Sequence, residues 1–334
     1  MKCWCCRCWM LVTMMTTTCL LLRVSNALTT TIQPLQAVSS TSSKFAPTTI
    51  AMRYAPRQAK RSTSRSSLQM NSSGGEDDDF STNPRTRGFF LKRYTGDSTP
   101  YEFPVRPVRL IQEWPIDGPP FSKDDFSRYD PTEDTTFYSF PKLVYHIDEP
   151  AVASLTQYYR NNISKGSTIL DICSSWVSHY PLEFPKTMKS ICGTGMNKFE
   201  LSKNDQLTGG YKQLDLNSSP YPKLPYDNEM FDVVTCVVSI DYLIEPIKVL
   251  KEVHRVLKPG GKIIISQSNR CFPTKAINMW LNMNDRQRLE LINGYIQYAG
   301  GFIEPRQAYD ISAIMPNNEY RDPMYIVEAI KEQE

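Results

Sequence analysis

From about residue 150 onward the chain sets short apolar runs, bounded by turn residues, against segments whose apolar positions recur every third or fourth place. The runs at 168–172, 190–192, 231–238 and 262–266 read as strands. The segment 246–257 reads as a helix, with Ile247, Leu250, Val253 and Leu257 at helical spacing. Pro246 suits its first turn, and Lys258-Pro259-Gly260-Gly261 closes it with a residue free to turn left-handed. A shorter helix is expected over 198–204. Strands alternating with helices predict an α/β architecture, a mainly parallel sheet covered on both faces. Ligands of such sheets sit beyond the carboxyl ends of the strands, and candidate chemistry is sought there.

The stretch 76–150 is patterned differently. Prolines at 100, 104, 107, 115, 119, 120, 131 and 141 forbid long helices. Aromatic side chains recur from Phe89 to Tyr145, too many to leave in water, so this segment is expected to pack over the domain at 151–334 as an arm or lid. Its polar opening, 76–87, is expected to be disordered.

Composition changes the picture at the amino terminus. Residues 1–75 hold nine basic residues and no acidic one, so the net charge of +3 hides a body at −6, with 29 basic and 35 acidic residues over 76–334. A mildly acidic body is a poor partner for a phosphate backbone, and nucleic-acid binding is not expected. Lys2 and Arg7 precede an apolar run over 9–22, and Ser25-Asn26-Ala27 supplies small residues, the pattern of a signal peptide over 1–27. That run of about 14 residues falls short of the ~20 needed to span a bilayer, and no membrane span is expected in the mature protein. Residues 28–75, with 17 Ser or Thr and six basic residues, have transit-peptide composition. Together the two segments resemble the bipartite presequences of algae with complex plastids, and Lys44-Phe45-Ala46-Pro47 resembles their Phe-centred motif. Plastid import is therefore expected; a secreted protein with a flexible linker is the alternative. Cys3, Cys5, Cys6, Cys8 and Cys19 would leave with the signal peptide, while Cys173, Cys192, Cys236 and Cys271 are too widely spaced for a disulfide scaffold or a metal site.

The strand ends carry the remaining information. The first reads Ile169-Leu170-Asp171-Ile172-Cys173-Ser174-Ser175-Trp176 and the second Cys192-Gly193-Thr194-Gly195-Met196-Asn197. Gln213-Leu214-Asp215-Leu216-Asn217 follows, then Leu224-Pro225-Tyr226-Asp227, Phe231-Asp232-Val233-Val234 and Arg255-Val256-Leu257-Lys258-Pro259-Gly260-Gly261. With Ala299-Gly300-Gly301-Phe302, the stretch 168–302 resembles the class I S-adenosylmethionine-dependent methyltransferases of the type 11-like, small-molecule kind, whose signatures include LPF-D-x-x-FD and RVLKPGG.

The resemblance implies a Rossmann-like seven-stranded sheet, mainly parallel with a reversed last strand, which 305–312 and 324–330 would complete as an antiparallel pair. It implies S-adenosyl-L-methionine as cofactor, with Asp171, Ser174, Ser175, Trp176, Asn197 and Asp215 as the binding residues. The family's D-x-G-x-G-x-G loop is altered: Cys173, Ser175 and Val177 hold the glycine places, and Ser174 and Ser175 would supply hydroxyl contacts instead. Pro181 and Pro185 shorten the helix that should follow. Asn197 stands where the family has a ribose-binding acid, Glu200 is a substitute three residues on, and Asn197 is equally suited to cap the helix at 198–204. Asp215 stands where the family contacts the adenine amino group. Catalysis in the family is mainly positioning, sometimes with a base. Asp241, Tyr242, His179 and Arg270 are the catalytic candidates, with Arg270 a possible grip on an anion. His146 is a further candidate, His254 is read as structural, and Lys275 fits either a substrate contact or a solvated helix position. No metal is implied. The expected activity is methyl transfer to an unidentified small molecule; the alternative is a non-catalytic binding or assembly protein on the same fold. A nicotinamide enzyme is disfavoured because no G-x-G-x-x-G follows a strand.

A fusion of residues 1–75 to a fluorescent reporter is expected to accumulate in plastids of an alga with complex plastids; recovery from the medium alone would mark the secreted alternative.

Overall fold

The computed structural model describes residues 101–218, 223–316 and 319–333. The signal peptide, the transit-peptide-like segment and the polar opening of the arm lie outside the described residues. One eight-stranded sheet organises the rest. In chain order its strands are β1 (Arg106–Pro107), β2 (Thr168–Ile172), β3 (Ser190–Gly195), β4 (Tyr211–Gln213), β5 (Phe231–Val237), β6 (Leu257–Gln267), β7 (Gln307–Asp310) and β8 (Tyr325–Ile330). Across the sheet they run β4-β3-β2-β5-β6-β8-β7-β1. The strands from β4 to β6 are parallel, with Leu170 opposite both Cys192 and Val234. The last strand, β8, is reversed against β6 and β7.

The expected α/β class and reversed last strand are present. One correction concerns number: the arm contributes an eighth strand, β1, which extends the sheet antiparallel to β7. Another concerns β6, which starts at Leu257 rather than 262. Its pairing with β5 jumps from Phe231–Leu257 to Val233–Lys262, so Lys258-Pro259-Gly260-Gly261 bulges out and rejoins. Gly260 takes φ 74°, and a Cβ on Gly261 would press on the Lys258 and Asp232 carbonyls at 2.9 and 3.0 Å.

Helices α1 (Asp134–Phe137), α2 (Glu149–Asn162), α3 (Phe184–Thr187), α4 (Lys198–Lys203), α5 (Pro246–Val256), α6 (Asn278–Leu281) and α7 (Asp285–Ala299) complete the fold. As the two prolines imply, α3 is one turn. Strand alternation divides the core in two. Ile169, Val233 and Ile264 pack with Val152, Leu155 and Tyr159 of α2. Leu170, Val234 and Ile265 pack with Leu250 and Val253 of α5 and with Ile292 and Tyr295 of α7.

The late sequence signatures brace the amino ends of the strands. Asp232 Oδ2 accepts from Thr168 N and Thr168 Oγ1, both at 2.7 Å, and Oδ1 pairs with Lys258 at 2.8 Å. That ties β2, β5 and β6 together at their start. Arg255 donates to the Leu224 and Tyr226 carbonyls at 2.9 Å and pairs with Glu252 at 2.7 Å, pinning the loop before β5 to α5.

The described part of the arm, 101–150, packs by two devices. Trp114 and Phe121 meet Tyr298 of α7 edge to face, Phe121 meets Tyr295 the same way at 5.5 Å between centroids, and Phe126 lies tilted against Tyr295. Glu290 of the same helix accepts from Ile111 N at 2.7 Å and Gln112 N at 3.2 Å. The second device is ionic. Asp134, 5% exposed, pairs with Arg128 at 2.7 Å and Lys275 at 3.3 Å and accepts from Asn217 Nδ2 at 2.7 Å. Lys275 is neither solvated nor a substrate contact: it is fully buried and also donates to the Thr132 carbonyl at 2.6 Å.

The Trp114 indole lies on Gly294, where a Cβ would come within 2.6 Å of the ring. Gly294→Val is expected to lower folding stability by about 1–3 kcal/mol, the usual cost of overpacking. Urea unfolding checks it, and an unchanged midpoint would contradict this contact.

Candidate active site

A cavity of about 520 Å³ lies over the carboxyl ends of β2, β3 and β5 and the loop after β4, walled on one side by arm residues from Asp134 to Asp148. Four described non-glycine residues have φ in the left-handed region, and three of them line this cavity: Cys173 (56°), His179 (57°) and Val238 (44°). Such a conformation is costly for a β-branched valine, and strain of this kind concentrates at functional sites. Cys173 holds the first glycine place of the loop and keeps the left-handed backbone that a glycine would take.

The loop after β2 is drawn down onto β3. Ser174 N donates to the Thr194 carbonyl at 2.6 Å, and the Ser174 carbonyl oxygen occupies the space that a Cβ on Gly195 would need. Gly195 is therefore obligatory at the strand end. Ser174 Oγ, on the cavity wall, is buried beside the Asp171 carboxyl. Burial pushes the Asp171 carboxyl up to about 6, against neighbouring hydroxyls that favour its charge. Thr235 donates to it at 3.1 Å. Ser175 Oγ donates to Glu200 at 2.6 Å, and Trp176 lines the cavity with its indole held on the arm, Nε1 on the Val144 carbonyl at 3.2 Å and the ring 4.9 Å from Tyr145. The hollow is not plugged by the indole.

Asn197 requires a correction. Its Oδ1 accepts from Phe199 N at 2.9 Å and Glu200 N at 3.1 Å, capping α4, while Nδ2 donates to the Tyr138 carbonyl at 2.8 Å. With both amide atoms engaged it stands off the cavity, and the cap reading holds. Glu200 lines the wall instead, 7% exposed. Asp215 lines it too: Oδ1 accepts from Asn217 N at 2.8 Å, and burial raises its carboxyl.

Among the catalytic candidates, Tyr242, His179 and Arg270 reach the cavity. Tyr242 Oη accepts from Phe272 N at 2.8 Å, with the two rings 5.9 Å apart. His179 Nδ1 is buried without a hydrogen-bond partner among the described residues, and burial, aided by His146, brings its imidazole down to about 4. His146 lines the cavity as well, its ring 5.2 Å from Phe272, and burial lowers it. Arg270 pairs with the buried Asp322 at 2.8 Å, and Asp322 and Asp148 exchange backbone-to-carboxylate bonds of 2.9 and 2.6 Å at the mouth. Asp241 does not reach. It is 2% exposed beneath the wall, Oδ2 has no hydrogen-bond partner among the described residues, and burial holds its carboxyl up to about 8. His254 sits far from the site's wall in a structural role, its Nε2 3.1 Å from the Gly301 carbonyl. Sequence reasoning missed Tyr138, Lys142 and Phe272 as individual wall residues; the aromatic density of the arm was a signal for Tyr138, and Phe272, after β6, had none. Among the described residues no cluster of His, Cys, Asp or Glu is placed to hold a metal ion, and no helix is long and apolar enough to cross a membrane.

Residues 178–265 match the family model described as a methyltransferase domain. Over those residues the chain is similar to methyltransferases. The match begins just past the loop at 173–177. Demethylmenaquinone methyltransferases are similar to the chain: that of Bacillus licheniformis is 31% identical over 112 residues, 33% of this chain and 48% of the relative. That of Bacillus subtilis is 29% identical over 114 residues, again 33% and 48%. The chain thus spans about half the length of the curated relatives it matches. Among solved structures, the [4+2]-cyclase SpnF aligns at a TM-score of 0.41 with 16% identity, over 60% of this chain and 92% of that one. A phosphoethanolamine N-methyltransferase of Haemonchus contortus solved with S-adenosyl-L-methionine aligns at 0.38 with 16% identity, over 54% and 52%.

Asp241 sets a pH dependence for folding stability. Its folded carboxyl titrates near 8 rather than 3.8, so between those values the folded chain keeps a proton that the unfolded chain has released, and stability falls as pH rises. Asp241→Asn is expected to raise the melting temperature more at about pH 8.5 than at about pH 5. Equal changes at both would show the carboxyl to be ionised in place.

Proposed function

We propose that this domain transfers a methyl group from S-adenosyl-L-methionine to a small molecule with a substantial apolar surface. The observation that carries the reading is the open cavity at the carboxyl end of the sheet, with unengaged polar atoms on its wall. Asp171, with the Ser174 hydroxyl beside it, and the second oxygen of Asp215 are suited to a nucleoside carrying an amino acid. Asp215 would accept from the adenine amino group, and Ser174 with Asp171 would meet the amino-acid end. The volume of about 520 Å³ lies inside the ~300–1,000 Å³ range of ligand sites. When bound, the cofactor supplies an electrophilic methyl group.

What the chain's own residues do follows from their placement. Tyr138, Tyr145, Tyr242 and Phe272 wall the cavity and exclude water from it. They also hold a flat acceptor in one orientation, the main contribution expected in a reaction governed by positioning. His179 is neutral at physiological pH, and its ring lies 5.8 Å from that of Tyr145 on the cavity wall, where it adds to the flat, uncharged surface. The relatives are named demethylmenaquinone methyltransferases, and the ring-lined wall here supports a flat, apolar acceptor. The presequence supports a plastid as the place of action.

Calorimetric titration of S-adenosylhomocysteine tests the reading. Wild type is expected to bind, Asp215→Ala to bind at least about ten-fold more weakly, and His254→Ala to stay within about two-fold, since a hydrogen bond to a charged group is worth roughly that factor or more. A folded wild type that fails to bind would overturn the assignment; equal losses in the two variants would overturn the placement of the pocket.

A further inference from the structure

The charges on the cavity wall differ in how they are satisfied. Arg270 is taken by Asp322, and Asp134 by Arg128 and Lys275. Glu200 accepts from Ser175 Oγ and from Lys142 N, both at 2.6 Å. Lys142 is the exception: it lines the cavity and has no ion pair among the described residues. Its ammonium donates one bond, to the Phe137 carbonyl at 3.1 Å, and lies 4.4, 5.5 and 5.8 Å from the ring centroids of Phe137, Tyr138 and Phe272. An ammonium has three protons, so two are left for a ligand. Three ring faces favour a cation at this spot and strip water from it. Its backbone is pinned by the bond to Glu200, which fixes the residue against the wall.

We propose that Lys142 is the specificity-determining residue for the acceptor and that it selects an aromatic carboxylate. The inference deepens the methyltransferase reading and rests on it. Tyr138 and Phe272 are offered to the same ligand beside the ammonium, and such rings favour another aromatic ring edge to face or offset. One carboxylate suits two free protons and a single positive charge. A phosphate dianion suits the cavity poorly, because Asp148, Asp171, Glu200, Asp215 and Asp322 stand on the same wall and the other cation is already paired.

Binding of four probes to the full chain, by calorimetry or Trp176 fluorescence, tests this: benzoate, its neutral isostere benzamide, the non-aromatic cyclohexanecarboxylate and phenyl phosphate. Benzoate is expected to bind about ten-fold tighter than any of the other three, as a charge-assisted bond lost on either side implies. Lys142→Met should erase the preference over benzamide, and Lys142→Arg should keep it. Equal binding of benzoate and benzamide to wild type, a preference that survives Lys142→Met, or tighter binding of phenyl phosphate would overturn the proposal. S-adenosylhomocysteine titrated into wild type separates the two failures: its absence of binding removes the methyltransferase reading, whereas its binding with no benzoate preference removes only the role of Lys142.

Discussion

Everything above the sheet depends on one buried carboxylate. Asp134 is almost wholly out of water, and an isolated charge in that position would be prohibitively costly. It is tolerable because Arg128 comes from the arm, Lys275 from the loop after β6 and Asn217 from the loop after β4. Asn217 passes the constraint on, donating also to the Tyr242 carbonyl at 2.9 Å and accepting from Ile244 N at 2.9 Å. Four segments distant in sequence are thereby fixed to one point. Removing one member of such a cluster leaves an uncompensated charge, typically a loss of about 3–5 kcal/mol. The arm is consequently a wall of the domain rather than a loose cover.

The fold was legible because its determinants are local. The run at 168–172 and the helix over α5 obey strand and helix periods, and the prolines at 181 and 185 cut α3 to one turn. What escaped was register and long-range pairing. A two-residue strand such as β1 has no period to detect, and it exists only because β7 presents an edge to it. The early start of β6 escaped for a related reason, since a proline and two glycines read as the end of a helix and not as a bulge within a strand.

At the site the picture divides. Asp171, Ser174 and Asp215 were placed by strand ends, and strand ends do face the cavity. Asn197 and Asp241 were misread because a residue's distance along the chain from a strand end does not say which way its side chain turns. Two residues past β3, the backbone is already entering α4, so the amide caps a helix. In the turn after β5, Tyr242 faces the cavity and its neighbour Asp241 faces the core. The wall residues Tyr138, Lys142 and Phe272 belong to no motif; their meaning comes from a tertiary juxtaposition. The most specific signatures, meanwhile, hold Asp232, Arg255 and Lys258, which brace the opposite end of the sheet. They report architecture and say little about the cavity at the other end.

The contact between the Ser174 carbonyl and Gly195 has a consequence for how this site can change. The two positions are mutually exclusive choices: with the loop lying where it does, no residue bearing a Cβ fits at 195, and with a larger residue there, the loop could not lie where it does. The blocking atom belongs to the backbone, so the restriction on 195 holds whatever side chain stands at 174. The loop's side chains can thus be exchanged while its path, and with it the floor of the cavity, is held by a glycine in another strand.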